Sequence, residues 1–86
     1  MSLAKTTRYF REVARIRHPE AKRDDWVEAV LADPADSEVE PNGRLRYWAY
    51  IVEANRWLRV VLESDGETVH NAFFDDSFGR RTARGE

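Results

Sequence analysis

Apolar and polar residues alternate with period two through residues 44–52, 57–63 and 68–74, and this alternation predicts three consecutive antiparallel strands. β-Branched and aromatic residues dominate all three. Asn42-Gly43 and Asp65-Gly66 supply the positive φ of two-residue hairpin turns. With Asp65-Gly66 as such a loop, Leu62 faces Val69, Val61 faces His70, Val60 faces Asn71, Arg59 faces Ala72 and Leu58 faces Phe73. A turn around Ala54-Asn55 sets Val52 against Trp57, Tyr50 against Arg59, Trp48 against Val61 and Arg46 against Glu63. One sheet face then carries Leu45, Tyr47, Ala49, Ile51, Leu58, Val60, Leu62, Val69, Asn71 and Phe73, and is core. The other carries Arg44, Arg46, Trp48, Tyr50, Val52, Trp57, Arg59, Val61, Glu63, Thr68, His70, Ala72 and Phe74, a mixture that needs a partner or a second covering layer.

Upstream the period changes. Tyr9, Phe10, Val13 and Ile16 recur at helical spacing behind Thr6 and Thr7 as caps, predicting an amphipathic helix over residues 5–17 whose solvated side carries Arg8, Arg11 and Arg15. His18-Pro19 stops it, leaving His18 in a loop. Asp25-Trp26-Val27-Glu28 has capping-box spacing, so a second helix is expected over residues 26–32, burying Trp26, Val27, Val30 and Leu31. Residues 36–40 are acidic and read as an edge strand pairing with residues 44–47. Beyond Phe74, the aspartates Asp75 and Asp76 end a strand, and residues 79–86 form a frayed tail. The expected fold is therefore α+β, one small domain over residues 1–86, with two N-terminal helices followed by a four-stranded antiparallel meander sheet.

Composition narrows the chemistry. The chain has 86 residues and no cysteine, so disulfides and thiolate metal sites do not arise. No apolar run approaches membrane-spanning length and no secretory segment opens the chain, which leads to the expectation of a cytoplasmic protein with no membrane partner. Net charge is −2, yet twelve of the fourteen basic residues are arginine, the side chain suited to forked phosphate or carboxylate contacts. Phosphate-cradling glycine loops and dinucleotide fingerprints are absent, so no cofactor is expected. His70 beside Asp75 and Asp76 matches no compact ligand spacing, and no metal is expected either.

On the second sheet face, His70 is the only strand histidine, Arg59 lies diagonal to it, and Tyr50 faces Arg59. These three are candidates for catalysis, the histidine and tyrosine for proton transfer and the arginine for charge at a phosphorus. Arg44 and Arg46 are candidates for holding phosphates and Trp48 and Trp57 for stacking bases. Three functions fit this pattern: an endoribonuclease that needs no metal, an RNA-binding module without catalysis, and an interaction or homodimerisation domain that covers Trp48, Trp57 and Phe74.

Asp33-Pro34, then Asn42-Gly43-Arg44-Leu45-Arg46-Tyr47, then Leu58-Arg59-Val60-Val61-Leu62 and Thr68-Val69-His70-Asn71-Ala72-Phe73 form a progression that resembles the small toxins and nucleases of the RelE, ParE and BrnT kind over roughly residues 23–78. That resemblance implies helices, then a meander sheet whose face away from the helices binds RNA, with Arg46, Tyr50, Arg59 and His70 at the matching positions, and a protein antitoxin as partner. Such toxins are strongly basic, whereas this chain is acidic. Other members of the group poison gyrase or lack catalysis.

Overall fold

The computed structural model describes residues 5–83, with side chains through Arg80. The fold is α+β, a four-stranded antiparallel sheet with helices. Helix α1 comprises a π-helical turn, Phe10–Ala14, and the α-helical turn Arg15–Arg17 that continues it. A 3-10 turn, Pro19–Lys22, leads to α2, Asp24–Ala32. The strands are β1, Asp36–Val39, β2, Leu45–Ile51, β3, Arg56–Leu62, and β4, Val69–Phe74, paired in chain order. Helix α3, Asp76–Ala83, closes the described chain.

Thr7 starts α1: its Oγ1 accepts from the Phe10 amide at 3.0 Å and its carbonyl from Arg11 at 3.2 Å. The π turn spans one residue more per hydrogen bond than an α-helix and so rotates the later residues about the helix axis. Phe10 and Ala14 are thereby fully buried, while Ile16, expected on the apolar side, is 74 % exposed. Helix α2 begins at Asp24, earlier than the capping-box spacing implies, because Asp25 is bound in a forked contact to Arg23 (3.0 and 2.8 Å) and caps nothing. Val27 and Val30 are buried, and Trp26 and Leu31 pack half-buried at the core edge.

Both helices cover the sheet face that carries Leu58, Val60 and Leu62, as the alternation requires. The expected acidic edge strand is present as β1, with Val39 opposite Leu45 and Asp36 opposite Trp48. Between β2 and β3 the loop is residues 52–55, where Asn55 (φ +56°) takes the left-handed conformation that Ala54 resists. Tyr50 therefore faces Trp57, Trp48 faces Arg59 and Arg46 faces Val61, two residues away from the expected pairing. A shift of two preserves the faces.

A β-bulge between Val61 and Leu62 has the larger effect. Leu62 faces Val69 as expected, but Val61 then faces Asn71, Arg59 faces Phe73 and Leu58 faces Phe74. His70 is the extra residue, and every side chain after it exchanges faces. Ala72 and Phe74, expected outside, pack in the helix-side core, while Asn71 and Phe73 face outward. The outer edge of β4 is closed by a parallel bridge: Thr7 donates to the Val69 carbonyl at 2.9 Å, and Val69 to that of Lys5 at 3.0 Å.

Helix α3 replaces the tail expected from Gly79 onward; residues 84–86 of that expectation lie outside the described chain. Its cap is Asp75, whose Oδ1 accepts from the Phe78 amide at 3.1 Å and the Ser77 hydroxyl at 2.7 Å. Among the described residues no helix is long and apolar enough to cross a membrane.

Candidate functional site

The outer sheet face divides in two. One half lies under α3: Phe78 stacks on Trp48 at 4.8 Å and meets Trp57 edge-on at 4.9 Å. Trp48 is 2 % exposed and its indole N–H donates to Asp75 Oδ2 at 2.9 Å. Neither ring is an open stacking platform. Trp48 is core beneath α3, and Trp57 is half-buried between Phe78 and Tyr50. The second covering layer that the mixed face required is the chain's own C-terminal helix.

The other half holds an open cavity of about 260 Å³ whose lining includes Tyr9, Glu40, Arg44, Arg46, Arg59, His70, Asn71 and Phe73. A smaller one of about 140 Å³ lies between Arg46, Arg59, Asp75 and Ser77, so the two arginines separate the cavities and line both. Four of the seven candidate residues, His70, Arg59, Arg44 and Arg46, thus meet at one site. Tyr50 does not join them. It is at the far end of β2, 41 % exposed, donating its hydroxyl hydrogen to Asn55.

The bulge leaves His70 on the face where the alternation put it and turns Asn71 to the same side. Its ring stacks on Tyr9 at 4.9 Å and 21°. Nδ1 lies 3.2 Å from Glu63 Oε1 and 3.2 Å from Thr7 Oγ1. Burial lowers the histidine's pKa below its ordinary 6.5, and Arg44 lowers it further, against the opposing pull of Glu63 and Glu40. The imidazole is accordingly neutral at pH 7.

Each arginine is held by a carboxylate but keeps part of its fork. Arg44 uses Nε on Glu63 (2.9 Å). Arg46 uses Nε on Glu40 (3.0 Å) and Nη1 on Glu38 (3.1 Å). Arg59 uses Nε and Nη2 on Asp75 Oδ2 (3.0 and 2.7 Å), with its guanidinium between the rings of Trp48 (5.3 Å) and Phe73 (4.9 Å). For Asp75, burial works to raise the carboxyl, but hydrogen bonds from Trp48, Ser77, the Phe78 amide and Arg59 outweigh it and hold the group well below the usual carboxylate range. Such paired arginines are oriented donors, fixed before any anion arrives.

The sequence reading placed Glu63 on this face opposite Arg46, Thr7 as a helix cap, Tyr9 on the apolar side of the helix and Asp75 at a strand end, but assigned none of them to the site. Asp75-Asp76-Ser77-Phe78 does carry a signal, an N-cap aspartate three residues before an apolar residue. Tyr9 and Thr7 carry none, since they reach His70 across a sequence separation of more than sixty residues. Among the described residues no group of three or more His, Cys, Asp or Glu is placed to hold a metal ion. Comparison with family models, curated proteins and solved structures finds no match to this chain.

Proposed function

We propose that this chain binds single-stranded RNA in the outer-face cavity and cleaves it without a metal ion, as a RelE-like toxin-type endoribonuclease acting in the cytoplasm. The observation that carries the reading is the convergence of three oriented arginines, a histidine and an aromatic ring on one open cavity. Helices α1 and α2 on one face of a meander sheet and the site on the other also fit the RelE-like arrangement. In the proposed reaction His70 takes the proton of a ribose 2′-hydroxyl; the oxygen attacks phosphorus, the bond to the 5′-oxygen breaks, and that oxygen leaves with a proton from water. Arg44, Arg46 and Arg59 bind the phosphate and offset the charge that develops on it. A protein antitoxin is the partner this reading implies.

A second reading draws on the carboxylates. Because Glu40, Glu63 and Asp75 balance the arginines, the same cavity suits a non-catalytic RNA or protein contact.

Incubating the protein with end-labelled single-stranded RNA, with and without chelator, separates the two. Cleavage to 2′,3′-cyclic phosphate and 5′-hydroxyl ends is expected in both tubes, falling about 10²–10⁴-fold in His70→Ala with RNA binding retained. The rate should rise with pH through the His70 titration, below 6.5, and then level, since the neutral ring is the base. RNA bound but left intact would favour the non-catalytic contact, and cleavage abolished by chelator would overturn the mechanism.

A further inference from the structure

We propose that Thr7 is the positioning residue of this site: its hydroxyl, fixed at the start of α1, meets His70 Nδ1 at 3.2 Å and holds the imidazole so that Nε2 is the nitrogen left for substrate. Thr7 can do this because it is itself tied down. Its amide donates to the Val69 carbonyl at 2.9 Å, its carbonyl accepts from Arg11 at 3.2 Å and its Oγ1 accepts from the Phe10 amide at 3.0 Å, so the hydroxyl is anchored both to α1 and to the strand that carries His70. Two residues on, Tyr9 stacks on the same ring at 4.9 Å. Stacking sets the plane of the imidazole but tolerates the half-turn about Cβ–Cγ that exchanges Nδ1 with Cδ2; a hydrogen-bonding partner at Nδ1 separates the two orientations. Glu63 Oε1, also 3.2 Å from Nδ1, forms a charge pair with the ring only when the ring is protonated. A hydroxyl accepts from a protonated Nδ1 and donates to a bare one, so the Thr7 contact persists in both protonation states. Among the described residues Nε2 has no hydrogen-bond partner, and His70 lines the cavity.

The consequence for turnover rests on the cleavage reading, and the contact does not. When Nε2 takes the proton of the 2′-hydroxyl both ring nitrogens carry hydrogen, and Thr7 Oγ1 accepts from Nδ1, so the ring keeps its orientation through the step.

The test replaces Thr7 by valine, which keeps the branched shape without the hydroxyl, and by serine, which keeps the hydroxyl. Thr7→Val should lower RNA cleavage about 10–10²-fold with RNA affinity within about twofold, and Thr7→Ser should stay within about twofold of the intact protein. Because Thr7→Val also removes the α1 cap, denaturant midpoints separate the two effects. In a His70→Phe background, where a ring still faces Tyr9 but offers no nitrogen, Thr7→Val should shift the midpoint about half as far as it does in the intact protein. Equal shifts in the two backgrounds, or a cleavage loss shared by the serine variant, overturn the role of Thr7 even if RNA is cut. Unequal shifts with RNA left intact instead overturn the cleavage reading and leave the contact standing. Should Thr7→Val fail to give a native amide spectrum, the intact protein decides: nuclear Overhauser contacts from the Thr7 side chain to His70 Hε1 and not to Hδ2 are expected, and equal contacts to both would overturn the fixed orientation.

Discussion

Asp75 joins the two halves of the outer face. Its carboxylate accepts five hydrogen bonds, from the Trp48 indole, two nitrogens of Arg59, the Ser77 hydroxyl and the Phe78 amide, at 6 % exposure. It therefore caps α3 and aims Arg59 at once. Removing it leaves the Arg59 and Trp48 donors without their acceptor, so Asp75→Ala should cost about 3–5 kcal/mol, the range for breaking a buried pair by deleting one member. Asp75→Asn keeps the shape and should cost less. Denaturant midpoints of the two variants check this, and an Ala variant as stable as the parent would show that the cluster is solvated. Because the folded carboxyl titrates below its unfolded value of 3.8, its stabilisation is present above that pH and is lost as pH falls below it.

Among the elements, α3 is the one whose existence depends most on docking. Eight residues that include Gly79 and Thr82 form no stable helix alone, so Phe78 against Trp48 and Trp57 must hold it. Gly79 itself reflects that closeness: a Cβ there would lie 3.1 Å from Trp57 Cδ1. As sequence, Phe78-Gly79-Arg80-Arg81 shows one apolar residue, a helix breaker and charge, which is the pattern of an unravelling end. Phe78→Ala should cost about 3–5 kcal/mol, whereas Val52→Ala, at an 81 % exposed loop position, should stay within about 0.5 kcal/mol. Tryptophan fluorescence during unfolding measures both effects. Equal midpoints for the two variants would mean that α3 does not hold the face closed.

For the whole molecule, charge placement outweighs charge total. The net charge of −2 coexists with three arginines at one cavity, and their carboxylate partners keep the site from being a broad basic surface. RNA affinity should accordingly depend on salt only weakly: three phosphate contacts on a single strand give a slope of log K against log salt near about −2. Titrations across a range of salt measure it. A slope near zero would remove phosphate contacts from the reading, and one several times steeper would place RNA on surfaces outside the cavity.

Alternation and turn dipeptides determined the α+β class, the meander, the acidic edge strand and the helix-covered face, because each depends on residues close in sequence and on a parity that survives a two-residue shift. Arg44, Arg46, Arg59 and His70 were legible as one outer-face set for the same reason. Tertiary structure alone decided the rest. The bulge at His70 exchanged the faces of residues 71–74 because only the assembled sheet and core select a buried Ala72 and Phe74 over Asn71. Tyr9, Glu63 and Asp75 entered the site, and Trp48 and Trp57 left the open surface, through contacts between segments far apart in the chain. Local patterning determines which way a side chain points; its cover depends on distant segments arriving together, and no local spacing records that.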